Sequence, residues 1–223
     1  SINDRRSEDE FTGTAILSWK ATDDLLLYGS FARGYKAGGF NLDRSALKSP
    51  IATFASVGGA QALVGNLQFD PELVDSYELG AKYSTGPFSL SVSAFRSDFS
   101  NFQLNTFNGT VFLVQTINGC SADLGGADRD LSSATGACAA GDVGYGVRAE
   151  GFELEASLVP ARNFRMAAGL TYANTSYRTN LVGNKSGAPL DAALRKLPGD
   201  NLSNAPELVA TSSLTWTPEI GGS

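Results

Sequence analysis

The sequence predicts an all-β chain, a segment of about seven antiparallel strands from a large transmembrane β-barrel with long extracellular loops. Three observations predict this fold: apolar and polar residues alternate with period two in seven segments, short and long connections alternate strictly, and aromatic residues lie beside the short connections. No apolar run is long enough to cross a membrane as a helix, which needs about 18 residues.

Seven segments show the alternation expected of strands. They cover residues 11–19, 25–35, 76–83, 88–99, 151–158, 164–172 and 208–216. In the third segment Leu79 and Ala81 lie on one face, and Glu78 and Lys82 lie on the other. The fourth segment changes phase after Ala94, which predicts a β-bulge at that point.

The connections between these segments indicate how the strands are oriented. Residues 20–24, 84–87 and 160–163 form short connections that are rich in Asp, Gly, Pro and Asn, the usual turn formers. Residues 36–74, 100–146 and 178–205 form long connections, and all of them fall at the opposite end of the strands. Outer-membrane barrels have short periplasmic turns and long extracellular loops, so we expect the long connections to lie outside the cell.

Aromatic residues support the same orientation, since one or more lie beside every short connection. The predicted ring comprises Trp19, Tyr83, Phe88, Phe164 and Trp216. Such a girdle is typical of the membrane interface of a barrel, because these rings have an apolar body and, in Trp and Tyr, a polar tip. The alternative is that aromatic residues are simply common in strands.

Composition argues against several functional classes. Acidic residues outnumber basic ones by 23 to 17, so the net charge is -6 and nucleic acid is not an expected partner. The chain has no His, the usual general base at neutral pH, so we expect neither an enzyme nor a catalytic residue. We also expect no cofactor. Glu153 and Glu155 are neighbours on one strand face by periodicity and are not expected to be a catalytic pair.

Acidic residues also gather in the second long connection, at Asp123, Asp128, Asp130 and Asp142. Carboxylates can bind calcium, but the loop length and glycine placement of an EF-hand are absent. We therefore expect ordinary solvation of this loop and no metal site.

Two stretches carry a family resemblance. YGSFARGYKAGGFN at 28–41 and FDPELVDSYELGAK at 69–82 resemble signature segments of TonB-dependent outer-membrane receptor barrels. GFELEASLVP at 151–160 and NAPELVATSSLTW at 204–216 resemble two later strands of that family. The resemblance implies a barrel of about 22 strands with a plugged lumen.

The resemblance also implies a function and a location. It implies an outer-membrane receptor of a Gram-negative bacterium, in contact with membrane lipid, that imports a ferric siderophore or a similar small ligand with energy from the TonB complex. Residues 1–223 are expected to be part of the barrel domain, with the plug domain, the TonB-contacting N-terminal region and both barrel ends outside the chain. Siderophore, heme, cobalamin and oligosaccharide remain open as ligands, and the absence of His disfavours heme.

Three alternatives to active transport are compatible with parts of the pattern. A passive porin would share the strands, the girdle and the loop asymmetry. An outer-membrane hydrolase would need an activated nucleophile that this chain does not supply. A soluble secreted β-sandwich adhesion domain would need polar outward faces in place of Phe, Leu and Trp.

Periodicity places five charged residues on the face that would line the barrel lumen. These are Glu78, Lys82, Glu153, Glu155 and Arg165. Charge is tolerated there and costly towards lipid. The simplest interpretation is that they solvate the interior and pair across strands, and contact with the ligand path is the alternative.

Two further sets of residues are candidates for binding and for stabilisation. Arg33, Tyr35, Lys36 and Phe40 lie where the second strand is predicted to leave the membrane. Cations and aromatic rings suit an anionic ferric siderophore, and an interface anchor is the alternative. Cys120 and Cys138 lie in one extracellular loop and form no CxxC motif, which favours a disulfide between them.

Overall fold

The computed structural model describes residues 5–41, 67–107, 112–130, 132 and 135–218. The strands in this part of the chain are β1 (Gly13–Lys20), β2 (Leu25–Lys36), β3 (Gly39–Phe40), β4 (Gln68–Phe69), β5 (Glu72–Thr85), β6 (Phe88–Ser100), β7 (Phe102–Phe107), β8 (Phe112–Cys120), β9 (Val143–Gly144), β10 (Val147–Ala161), β11 (Phe164–Tyr177), β12 (Leu181–Val182) and β13 (Leu208–Trp216). Single turns of 3-10 helix occur at Ala140–Asp142 and Ala192–Leu194.

The seven long strands form one antiparallel sheet in the order β1-β2-β5-β6-β10-β11-β13, so each pairs with its neighbour along the chain. This arrangement confirms the predicted segment of seven antiparallel strands. The sheet is open at β1 and β13, so the barrel is not closed within the chain. None of the helices in the described residues has the length and apolarity of a transmembrane span.

The strand register separates two faces of this sheet. Leu154 pairs with Leu170, while its neighbour Glu153 pairs with Thr171. Because side chains alternate along a strand, the leucines lie on one face, here called the apolar face, and Glu153 and Thr171 lie on the other, here called the polar face. Leu79 on the apolar face is 71% exposed, which is expected of a surface that contacts lipid.

Aromatic residues form two rows on the apolar face. The predicted row beside the short connections is present there, and its Tyr83 and Phe88 rings lie 6.3 Å apart. A second row towards the long connections includes Phe31 with Tyr77, whose ring centroids are 5.3 Å apart. We did not predict this second row, because its members sit inside strands and not beside a turn.

The predicted β-bulge after Ala94 is wrong. The pairing of β6 with β5 and with β10 runs through Ala94 and Phe95 without a register shift. The phase change arises because Phe95 lies on the polar face, while Arg96 and Asp98 lie on the apolar face near the extracellular end. Polar residues are tolerated there because the strand is leaving the hydrocarbon layer.

The long connections contain structure that the sequence analysis missed. The hairpin β7-β8, with β9 and β12, forms a small sheet, and β3 pairs with β4. A hydrophobic core lies among these loops, with the residues Ile117, Val147, Tyr177, Leu181, Leu190 and Leu194. Val147 and Tyr177 belong to the polar face of the long sheet, so the loops fold over the extracellular end of that face.

Candidate functional site

A cavity of about 1080 Å³ opens among the extracellular loops. Its walls come from the residues around β4, the hairpin β7-β8 and the segment 183–195. Polar side chains on the walls include those of Arg6, Asn41, Gln68, Asp70, Gln115 and Asp191. We call this cavity the vestibule, because it lies over the extracellular end of the polar face.

A buried pair of asparagines holds the loops around the vestibule together. The Asn101 backbone N–H donates to Oδ1 of Asn118, and Nδ2 of Asn118 donates to Oδ1 of Asn101, both at 2.8 Å. Nδ2 of Asn101 also donates to the carbonyl oxygen of Pro71 at 3.1 Å. Asn118 is only 2% exposed, and a buried polar group that loses its partner costs about 1–3 kcal/mol. The pair therefore fixes β8 against the residue between β6 and β7 and, through the bond to Pro71, against the residue that precedes β5.

Two glycines allow β8 to lie against the start of β10. A Cβ atom on Gly119 would be 2.2 Å from the carbonyl oxygen of Tyr145. One on Gly146 would be 2.9 Å from Cα of Asn118. Only glycine permits backbones to approach so closely. The small sheet can therefore sit directly on the end of the long sheet.

Arg195 is part of the vestibule wall and holds it together through hydrogen bonds. Its side chain is 3% exposed, and its Nε and Nη2 donate to the carbonyl oxygen of Leu190 at 3.0 and 2.8 Å. Nη1 donates to the carbonyl oxygen of Ser132 and forms an ion pair with Asp130 at 3.3 Å. The Ser132 backbone N–H and the Thr135 hydroxyl lower the pKa of the Asp130 carboxyl, so it stays charged at neutral pH.

Charges of both signs meet at the rim of the vestibule. Arg6 forms ion pairs with Glu8 and, at 3.0 Å, with Asp70. Lys185 approaches the other oxygen of Asp70 at 3.8 Å. Glu8 in turn accepts a hydrogen bond from the backbone N–H of Gly38 at 3.1 Å. The vestibule therefore presents both hydrogen-bond donors and acceptors, and the electrostatic potential at its rim is of mixed sign.

Cys120 and Cys138 are joined by a disulfide with Cα atoms 6.1 Å apart. The backbone N–H of Cys120 donates to the carbonyl oxygen of Asn180 at 3.0 Å, and that of Cys138 donates to the carbonyl oxygen of Gly187 at 2.8 Å. The disulfide thus links two segments that each pair with the third long connection. It stiffens the loops that carry the vestibule wall.

We expect the exported protein to contain this disulfide. Mass spectrometry of unreduced digests should show the peptides of Cys120 and Cys138 linked, and neither thiol should react with an alkylating reagent. Replacing both by Ser should destabilise the loops by roughly 3 kcal/mol, since closing a loop of this size restricts the unfolded chain. Two freely alkylated thiols in surface-exposed protein would contradict the bridge.

The structure does not bring the four candidate ligand residues together. Arg33 and Tyr35 lie on the apolar face, where Nε and Nη2 of Arg33 donate to the two carboxylate oxygens of Asp75 at 2.6 and 2.5 Å. Lys36 lies on the polar face, and Phe40 lies on β3. In the described part of the chain none of the four lines the vestibule. Ligand contact at these residues stays a prediction.

The register places the five predicted lumen-facing charges on the polar face. They are Glu78, Lys82, Glu153, Glu155 and Arg165. Two of them pack around a residue that we did not predict. The ring of Tyr28 covers Gly80, its hydroxyl donates to Glu78 at 2.5 Å, and Nζ of Lys82 lies 5.6 Å from the ring centroid. A glycine paired with an aromatic residue on the neighbouring strand is the signal that could have revealed this contact.

Comparisons with known proteins agree with the fold. The family model described as "TonB dependent receptor-like, beta-barrel" matches residues 2–222. No curated protein matches the chain significantly in sequence. Among solved structures, the chain is similar to FyuA, the ferric yersiniabactin uptake receptor of Yersinia pestis, with 18% identity and a TM-score of 0.55 over 94% of this chain and 23% of that one.

Two further solved structures are similar. FauA, the alcaligin outer-membrane receptor of Bordetella pertussis, has 18% identity and a TM-score of 0.52 over 96% of this chain and 28% of that one. The copper transporter OprC has 16% identity and a TM-score of 0.53 over 92% of this chain and 23% of that one. The chain thus spans about a quarter of the length of these structures.

Proposed function

Because the chain belongs to the TonB-dependent receptor β-barrel family of the Gram-negative outer membrane, we propose that it is part of a receptor that actively imports a scarce small ligand. The ligand that we propose is a ferric siderophore, and the energy comes from the TonB complex. The role is transport and not catalysis.

The vestibule is the observation that carries this proposal. Its volume of about 1080 Å³ is slightly larger than that of most small-molecule sites, which range from roughly 300 to 1,000 Å³, so it has room for a small ligand. It opens on the extracellular side, where a scarce ligand would first be captured. The loops around it have their own buried core, so its walls are preformed, which lowers the cost of binding.

The chemistry of the walls suits a chelate rich in oxygen atoms. Arg6 has guanidinium N–H groups beyond those that bind its acidic neighbours at the rim. The Gln115 amide has a second N–H beyond the one given to Asp191 and a second lone pair beyond the one that accepts from Thr106. The rings of Phe69 and Phe107 add apolar surface. One of the similar structures is a ferric yersiniabactin uptake receptor and another is a copper transporter, which favours a metal or metal chelate as cargo.

The loop arrangement also bears on the alternative functions. The second and third long connections fold over the polar face and form a structured cavity, which favours a receptor with a ligand site over a passive channel. The β-sandwich alternative is wrong, because the seven long strands form one sheet with an exposed apolar face and not two sheets packed face to face.

A matched pair of tryptophan substitutions tests the vestibule. Ala193→Trp places a large ring on the cavity wall, and Ala122→Trp places the same ring on an exposed loop away from it. In protein expressed from its entire gene, we expect Ala193→Trp to weaken binding of a ferric siderophore about tenfold or more, since the ring occupies ligand space. Ala122→Trp should bind as the wild type does.

The measurement is quenching of intrinsic fluorescence across a panel of ferric siderophores. Failure of every siderophore to bind the wild type would contradict the ligand class. Equal binding by both variants would contradict the site. Radioactive iron uptake then tests energisation, because a protonophore should abolish active import and leave passive entry unchanged.

A further inference from the structure

Three arginines surround one tyrosine at the extracellular end of the apolar face. The guanidinium carbons of Arg148, Arg178 and Arg96 lie 4.4, 4.7 and 5.9 Å from the ring centroid of Tyr145. Arg148 also donates to the Tyr145 hydroxyl. These four residues, here called the arginine cluster, belong to three different parts of the chain, so the tertiary fold assembles them. They lie on the opposite face of the sheet from the vestibule.

The arginine cluster carries more positive than negative charge. Asp98 accepts hydrogen bonds from Arg96 at 2.8 Å and from Arg148 at 2.7 Å, so a single carboxylate is shared by two guanidinium groups. Glu150 is an exposed acidic neighbour on the same face of β10. Within the described residues, Arg178 forms no ion pair. Counting both carboxylates, the cluster keeps a surplus of one positive charge, which an external anion would neutralise.

The height of the arginine cluster indicates which anion is available. Arg148 and Leu158 both lie on the apolar face of β10, ten residues apart. Ten residues of strand span about 33 Å, and a strand tilt of about 40° converts this length to a height of about 25 Å. The apolar band of an outer-membrane barrel is also about 25 Å tall. Since Leu158 lies beside a periplasmic turn, Arg148 lies at the level of the outer-leaflet headgroups.

We propose that the arginine cluster binds a phosphate group of an outer-leaflet lipid. A guanidinium group presents paired N–H donors that match phosphate oxygens, and the Arg178 guanidinium has no carboxylate partner that would compete. The Tyr145 ring holds the three groups close together through cation–π contacts. Binding there anchors the outside of the barrel and is independent of the ligand in the vestibule. The inference rests on the assignment of the apolar face to lipid.

The test measures lipid binding to purified protein expressed from its entire gene, by native mass spectrometry in detergent. The probes are lipid A with two phosphates, dephosphorylated lipid A and inorganic phosphate. We expect the wild type to prefer the phosphorylated lipid, and Arg178→Gln to bind it about tenfold more weakly through loss of one charged hydrogen-bonding group. Arg178→Lys should recover part of the lost binding, because the lysine keeps the positive charge but lacks the paired N–H donors of the guanidinium group.

Two further variants serve as controls. Arg96→Gln tests whether the loss of binding arises from damage to the loop that carries Arg178, and Arg162→Gln tests whether it arises from the lower net charge of the protein. Arg96→Gln removes a guanidinium from the exposed edge of the arginine cluster and should also weaken binding, while Asp98 keeps Arg148 as its partner. Arg162→Gln removes the same charge from an exposed short turn at the other end and should have no effect. Equal lipid binding by wild type, Arg178→Gln and Arg96→Gln would overturn the proposal. Wild-type binding of inorganic phosphate as tight as that of lipid A would overturn the lipid assignment.

Discussion

Leu154→Arg is expected to prevent most of the protein from inserting into the outer membrane, whereas Thr171→Arg should leave insertion intact. Leu154 lies in the middle of β10 on the apolar face, paired with Leu170. An arginine facing lipid near the bilayer midplane costs about 2–4 kcal/mol. Thr171 pairs with Glu153 on the polar face, where the new charge meets water and a carboxylate. The two sites are on adjacent strands, so the face is the main difference.

The measurement is the fraction of heat-modifiable, membrane-inserted protein for each variant, expressed from its entire gene. Heat modifiability reports a closed barrel, and membrane fractionation reports insertion. Thr171→Arg serves as the matched control because it adds the same side chain at the neighbouring residue pair, on the opposite face of the sheet. Equal insertion of the two variants would mean that the apolar face does not meet lipid, whereas a defect in Thr171→Arg alone would mean that the two faces have been assigned the wrong way round.

Ile117→Ala is expected to loosen the vestibule without affecting insertion. Ile117 is fully buried, and it packs with Leu181 and Leu190 from the third long connection. Removing buried methyl groups from such a position costs about 2–5 kcal/mol. The loops contain the only cluster of fully buried apolar residues in the described part of the chain, so they have little other burial to offset the loss. We therefore expect faster amide exchange in β8 and weaker ligand binding.

Phe112→Ala is the control for this experiment. Phe112 begins the same strand, but its side chain is 70% exposed, so truncation should cost little. Hydrogen exchange followed by mass spectrometry compares β8 in the two variants, and heat modifiability confirms that both barrels assemble. If the amides of β8 exchanged alike in both, the loop core would not be what stabilises the vestibule.

The two parts of the fold are stabilised in different ways. The long sheet has polar side chains on one face and exposed leucines and aromatic rings on the other, so it depends on strand pairing and on lipid. The loops instead have a buried core, an asparagine pair and a disulfide, as a small water-soluble domain would. Loop variants should therefore alter binding, and charged substitutions in the lipid-facing middle of the apolar face should alter assembly.

Local pattern was sufficient for the long sheet. The alternation of Glu78 and Leu79 assigns each side chain to a face, because the period of a strand is two whatever lies elsewhere in the chain. Turn residues such as Gly86 and Pro87 mark where strands reverse. Short-range signals of this kind, together with the family motifs, determined the strands, their order and the end at which the long loops lie.

Only the tertiary structure decided the site. Asn101 meets Asn118 and Pro71, Ile117 packs against Leu181, and Arg195 reaches the carbonyl oxygen of Ser132. No periodicity predicts contacts between residues so far apart, because each depends on how the intervening loop folds back. The phase change after Ala94 was misinterpreted for the same reason, since strand alternation says which residues share a face but not the height at which a strand leaves the membrane.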